Sequence, residues 1–142
     1  FTEGKVDIDL TETTGEKYQL IPGSELKKDP TVTVVDGSED CWLYVKVEKT
    51  HNIDNYITYE IEEGWEPLDG VADVYYRAVA KTDAVKTFAV LKNNVVKVET
   101  SVDMDDMSTI ATANPELKFT AYAIQKANTG TAAEAWTAAS FN

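Results

Sequence analysis

Cys41-Trp42-Leu43-Tyr44-Val45-Lys46-Val47-Glu48 is the stretch on which the fold turns. Cys41, Leu43, Val45 and Val47 alternate with Trp42, Tyr44, Lys46 and Glu48. A period of two places the first set on one face of an extended chain and the second on the other, so this stretch predicts a β-strand with an apolar inner face. Toward the N-terminus, residues 31–35 form a β-branched run that begins after Asp29-Pro30 and stops at Asp36-Gly37, and residues 18–21 form a short apolar segment stopped by Pro22-Gly23. That spacing predicts strand, turn, strand. At the start, Val6, Ile8 and Leu10 alternate with Asp7 and Asp9, the pattern of a half-buried first strand.

Toward the C-terminus, Ile57, Tyr59 and Ile61 repeat the alternation as far as Gly64, residues 64–70 read as a long turn, and a further strand is expected over 74–79. Residues 88–91 and 95–98 flank Lys92-Asn93-Asn94. Consecutive asparagines tolerate positive φ, so a hairpin is expected there. Residues 103–107 predict a helical turn. Residues 117–126 carry bulky groups on both faces, which predicts a central strand. Thr131 and Glu134 match a capping box ahead of an alanine-rich stretch holding Trp136, so a short C-terminal helix is expected. About eight strands separated by Gly, Pro and Asn/Asp turns predict an all-β, two-sheet sandwich, jelly-roll-like, forming a single domain over residues 1–142.

Composition narrows the function. Thirteen Lys and Arg against twenty-five Asp and Glu give a formal net charge of −12. Such a chain repels phosphate backbones and anionic membrane surfaces, so nucleic acid is excluded as a partner class. No apolar run approaches the roughly 20 residues that span a bilayer, so no membrane insertion is expected. The chain opens on Phe1 rather than Met, which reads as a processed N-terminus.

The search for chemistry returns bland assignments. His51 is the single histidine, and zinc sites of the protease kind need two. No Gly-x-Ser-x-Gly nucleophile elbow occurs; Gly23-Ser24 and Gly37-Ser38 read as turn pairs. Cys41 shares parity with Leu43, Val45 and Val47 and is assigned to the core. Asp103, Asp105 and Asp106, with Asp36, Glu39 and Asp40, miss the calcium-loop pattern and read as solvated acidic loops. No catalytic residue, metal or cofactor is expected. Trp42, Tyr44, Tyr59, Tyr75 and Tyr76 are read as packing residues, with an exposed aromatic platform for carbohydrate as the alternative.

The chain resembles a known family. Phe1-Thr2-Glu3-Gly4-Lys5-Val6-Asp7-Ile8-Asp9-Leu10-Thr11-Glu12 is similar to the start of the module shared by camelysin and TasA-type proteins, Gram-positive biofilm fibre subunits exported through a dedicated signal peptidase. Ile21-Pro22-Gly23-Ser24-Glu25-Leu26-Lys27-Lys28-Asp29-Pro30 resembles their Pro-Gly turn into a strand, and the stretch from Cys41 to Val47 resembles their next core strand. Gly64-Trp65, Val74-Tyr75-Tyr76, Ala121-Tyr122-Ala123-Ile124-Gln125 and Ala135-Trp136 follow in order, so the resemblance covers nearly the whole chain through short turn and strand patterns. It implies secretion to the extracellular space or cell surface, and head-to-tail self-polymerisation in which an N-terminal strand completes a sheet of the next copy. The protease label attached to camelysins finds no support in a chain with one histidine.

Residues 1–12 are therefore the candidate donor strand, with Phe1, Val6, Ile8 and Leu10 as the partner-binding residues. An open sheet edge exposes N–H and C=O groups that an extended segment of another copy can satisfy. The competing expectation is that this strand pairs within its own chain. A minor fibre subunit or anchor is a further partner open to such a filament. The rival function is a monomeric surface module for carbohydrate or a host protein, using loops such as residues 64–70 and centred on Trp65.

Overall fold

The computed structural model describes residues 6–12, 21–113 and 116–139. Within them the chain is an all-β sandwich with a short C-terminal helix. The wide layer is an antiparallel sheet built on β4 (Cys41–Lys49). β4 pairs on one side with β10 (Leu117–Gln125), from Leu117 opposite Lys49 to Gln125 opposite Cys41. On the other side it pairs with β7 (Val74–Val79), whose outer edge takes up the two-residue β6 (Glu66–Pro67).

The second layer is made of two three-stranded sheets. One orders β1 (Ile8–Thr11), β3 (Thr31–Val34) and β8 (Thr87–Ala89); the other orders β2 (Glu25–Lys27), β9 (Val95–Val98) and β5 (Ile57–Thr58). They are sewn together where the chain runs from β2 into β3: Lys28 donates its N–H to the Asn94 carbonyl at 2.8 Å, and Val90 donates to the Pro30 carbonyl at 3.0 Å. The buried Pro30, which has no N–H to give, marks the point where the run changes partner.

The predicted alternation of β4 holds. Cys41, Leu43, Val45 and Val47 all lie at 1% exposure or less and meet Val32, Val34, Val90, Val96, Val98, Leu117 and Phe119 between the layers. Each fully buried Val or Leu contributes roughly 1.5–3 kcal/mol of transfer free energy. The opposite face of β4 is covered too. Tyr44 is completely buried with Leu68, Val74, Ala132 and Trp136 under α2 (Ala132–Ala139). The predicted capping box forms as written: Glu134 N–H donates to Thr131 Oγ1, and Thr131 N–H donates to Glu134 Oε1, both at 3.2 Å.

Four sequence expectations are corrected. β10 is an edge strand of its sheet, not a central one; it reads as central because the core covers one face and α2 the other. Asn93 and Asn94 do take positive φ, 58° and 55°, yet they close no hairpin, since β8 pairs with β3 while β9 pairs with β2 and β5. The turn hands the chain from one small sheet to the other. The strand expected over 57–61 shrinks to Ile57–Thr58 plus a single bridge between Ile61 and Leu91. The helical turn at 103–107 extends into a ten-residue helix, α1 (Met104–Ala113). The segment at 18–21 lies, apart from Ile21, outside the described residues. Among the described residues no helix is long and apolar enough to cross a bilayer.

Candidate functional site

β1 is bound to the body through one edge. It runs antiparallel to β3, with Ile8 opposite Val34, Asp9 opposite Thr33, Leu10 opposite Val32 and Thr11 opposite Thr31. Val6, Ile8 and Leu10 are half-buried and pack against the core between the layers, while Asp7 and Asp9 point to solvent. Phe1, the remaining predicted partner-binding residue, lies outside the described residues. In the single chain the strand thus completes its own β3.

Two devices fix the ends of β1. At its start the Asp7 N–H donates to Ser38 Oγ at 3.0 Å, and the Asp7 carbonyl accepts from the Val35 N–H at 2.8 Å. Ser38 is buried, so what the sequence offers as an ordinary turn serine in fact holds the incoming strand. At the other end Glu12, one residue past β1, forms an ion pair at 2.9 Å with Lys28 Nζ, and Lys28 is only 4% exposed. The Lys28 ammonium also lies 5.6 Å from the centre of the Phe119 ring. No sequence motif announces this pair, because its partners come from separate segments.

On the far side of the sandwich a cleft of about 640 Å³ wraps the edge of β7 beyond its pairing with β6, lined among others by Trp42, Glu66, Tyr76, Arg77, Asp83 and Phe88. Trp42 stands opposite Ala78 in the sheet and Arg77 opposite Leu43, so these two side chains leave β7 and β4 on opposite faces. The Arg77 guanidinium lies 4.0 Å from the Phe88 ring centre and 4.7 Å from that of Trp65, and donates from Nη2 to the Glu63 carbonyl at 3.2 Å. Burial lowers its pKa from the ordinary arginine value, with Glu62 opposing the shift. Trp42 Nε1 and Arg77 Nε are both buried with no hydrogen-bond partner among the described residues.

The aromatic platform does not form as drawn. Tyr44 is buried, Trp42, Tyr59, Tyr75 and Tyr76 are half-buried, and Trp65 is 7% exposed with its Nε1 donating to the Ala89 carbonyl at 2.9 Å. Trp65 pins the β6–β7 side to β8 and is a core residue rather than a loop-borne contact. Cys41 is sealed in the core, and burial, reinforced by the neighbouring Asp40 charge, pushes its thiol up to about 11. His51 is exposed at a turn with φ of 52°. Asp103 and Asp106 cap one another at the start of α1, each accepting the other's backbone N–H, at 2.8 and 3.0 Å. Among the described residues no group of three or more His, Cys, Asp or Glu side chains is placed to hold a metal ion.

No family model, no curated protein and no solved structure matches this chain.

Proposed function

We propose that this chain is a non-catalytic structural subunit of an extracellular bacterial filament, and that copies polymerise head to tail when β1 of one takes the place of β1 against β3 of the next. The observation that carries the reading is the attachment of β1: a four-residue strand bound along one edge, with the half-buried Ile8 and Leu10, and Val6 just ahead of it, seated on the core and charged residues between them. Whatever occupies that seat must be an extended segment with the same alternation, and another copy supplies one. A heterologous contact of this kind does not close on itself, so it grows a fibre. The resemblance of residues 1–12 and of the later turn and strand patterns to camelysin and TasA-type subunits supports the same reading, including secretion. A net charge of −12 repels like copies, so growth is expected to be promoted by salt, which shortens the Debye length to about 10 Å at 0.1 M. Negative-stain imaging of the purified chain across salt concentrations should show filaments. Removing residues 1–12 should abolish them; filaments unchanged by that deletion would overturn the proposal.

A second reading, a monomeric carbohydrate-binding module, draws support from the cleft around β7. Its two buried, unpartnered N–H groups would each donate to a ligand oxygen, and hydroxyl-rich sugars supply such oxygens beside aromatic rings. Trp42→Phe keeps the ring and removes the N–H, so glycan titration of this variant against the parent separates the readings: a loss of binding on the order of tenfold favours the module.

A further inference from the structure

We propose that the cleft around β7 binds a short, extended, uncharged peptide, which adds one rung to that edge of the sheet and carries side-chain oxygens at two adjacent positions. The proposal is independent of the filament reading. Residues two apart in a strand direct their N–H and C=O groups to the same side. The Val74 carbonyl accepts the Leu68 N–H at 2.8 Å, so Val74, Tyr76 and Ala78 all turn their backbone groups toward the β6 side. Tyr76 is met there by Glu66, the first residue of β6. Continued in that register, Gly64 would stand opposite Ala78, but at φ of +97° it turns the chain off the edge, and among the described residues none pairs with Ala78 on that side. Ala80, the next residue of the same parity, is already closed: its N–H donates to Asp83 Oδ2 at 2.9 Å and its carbonyl accepts the Asp83 N–H at 3.0 Å. One exposed rung, at Ala78, is left open.

The walls of the cleft fit such an occupant. Trp42 and Arg77 stand on opposite faces of the sheet, and each brings a buried N–H without a partner, Nε1 and Nε. Successive residues of an extended chain also point to opposite faces, so a segment paired with Ala78 sends one side chain toward Trp42 and its neighbour toward Arg77. An oxygen on each satisfies both donors, whose isolation from water otherwise carries a cost. Asn, Gln, Ser and Thr bring that oxygen without charge; Asp and Glu are disfavoured, because Glu66 and Asp83 line the same cleft in a chain of net charge −12. Phe88 and the 65% exposed Val85, in the same lining, offer apolar contact to flanking residues. A sugar can meet the two donors, but an extended backbone also matches the alternation of the two faces and fills the rung at Ala78.

The probe is the blocked tetrapeptide acetyl-Val-Thr-Asn-Val-amide, titrated into the full chain by calorimetry. It is expected to bind saturably. In a strand rung only alternate peptide N–H groups face the protein, so N-methylation at one of the two central positions should weaken binding about tenfold while N-methylation at the other changes it less than about twofold. Ala78→Pro removes the outward N–H and leaves the pairing with β4 in place, as a proline on a strand edge allows, and Trp42→Phe keeps the ring and removes its N–H; each should weaken binding about tenfold. The methylated peptides act on the unaltered chain, so the test does not depend on how either variant folds. Absence of saturable binding would overturn the proposal, as would equal effects of N-methylation at both central positions. A neutral oligosaccharide bound by the parent and lost in Trp42→Phe, with the peptide unbound, would overturn it in favour of the carbohydrate reading.

Discussion

The Tyr44 hydroxyl donates a hydrogen bond to the Ala132 carbonyl at 2.6 Å, joining the middle of the central strand to the first residue of the C-terminal helix 88 positions later. The rings of Tyr44 and Trp136 lie 5.0 Å apart beside it, and Tyr122 meets Trp136 edge-on at 5.4 Å. The helix is thus held by a buried hydrogen bond beside an aromatic cluster. Tyr44→Phe retains the ring and deletes the hydrogen bond. Because the Ala132 carbonyl also lies where the helix itself supplies an N–H, the loss should stay near the ordinary net value, about 0.5–1.5 kcal/mol, measured by denaturant unfolding. Trp136→Ala, which empties the cluster, should cost about 3–5 kcal/mol in the same assay.

Gly64 has φ of +97°, and a Cβ built on it would collide with Arg77 Nη2. The positive φ disfavours any side chain here, and an added Cβ would also make the Arg77 guanidinium shift. Gly64→Ala should displace Arg77 from between Trp65 and Phe88 and destabilise the chain by roughly 1–3 kcal/mol. Thermal unfolding of this variant beside Gly37→Ala, where nothing lies within 4 Å of the added Cβ, isolates the steric part, since both glycines have positive φ.

Alkali should unfold the protein through its sealed acids. Cys41 is raised from 9.0 to about 11, chiefly by burial and then by Asp40; Tyr44 is raised from 10.0 to about 12, chiefly by burial and then by Cys41 and Tyr76. Both groups hold their protons more tightly when folded. Their stabilisation is complete below pH 9 and is lost as the pH rises through 11 for Cys41 and 12 for Tyr44, on the order of 2–3 kcal/mol each. Denaturation midpoints from pH 8 to 11 should fall, and Cys41→Ala should flatten the first part of that decline. At pH 8 the native thiol should resist a disulfide reagent until the chain is unfolded.

Trp65→Ala should behave as a core deletion. With the indole 7% exposed and bonded to the Ala89 carbonyl, truncation should cost about 3–5 kcal/mol by denaturant unfolding. Loss of glycan affinity in that variant would follow from lost structure, whereas Trp42→Phe tests the cleft without opening the core.

What was legible in the sequence is what a short window can carry. The alternation of Cys41, Leu43, Val45 and Val47 and the Thr131/Glu134 capping box depend on neighbours two or three residues apart, and both form as written. Pairing is a different matter, because the partner of a strand is chosen by contacts between distant segments. Asn93 and Asn94 take the conformation their side chains tolerate, yet where the turn delivers the chain is set by Pro30 and Lys28 on another segment. β10 could not be told from a central strand, since a helix covering one face leaves the same pattern as a neighbouring sheet. The Ser38 clamp and the Lys28–Glu12 pair were illegible for a related reason: each joins residues 16 or more positions apart and neither has a spacing rule.

The helix lying over Tyr44 bears on the dimensionality of the proposed growth. Without α2, the outer face of the wide sheet would offer Trp42, Tyr44, Tyr76 and Tyr122 as a flat aromatic surface on which a second sheet could stack, the geometry by which β-proteins condense into dry, laterally thickened bundles. Roofed by eight helical residues, that direction is closed, and in the filament proposed above contacts between copies would be steered to the rims of the sandwich, adding length rather than girth.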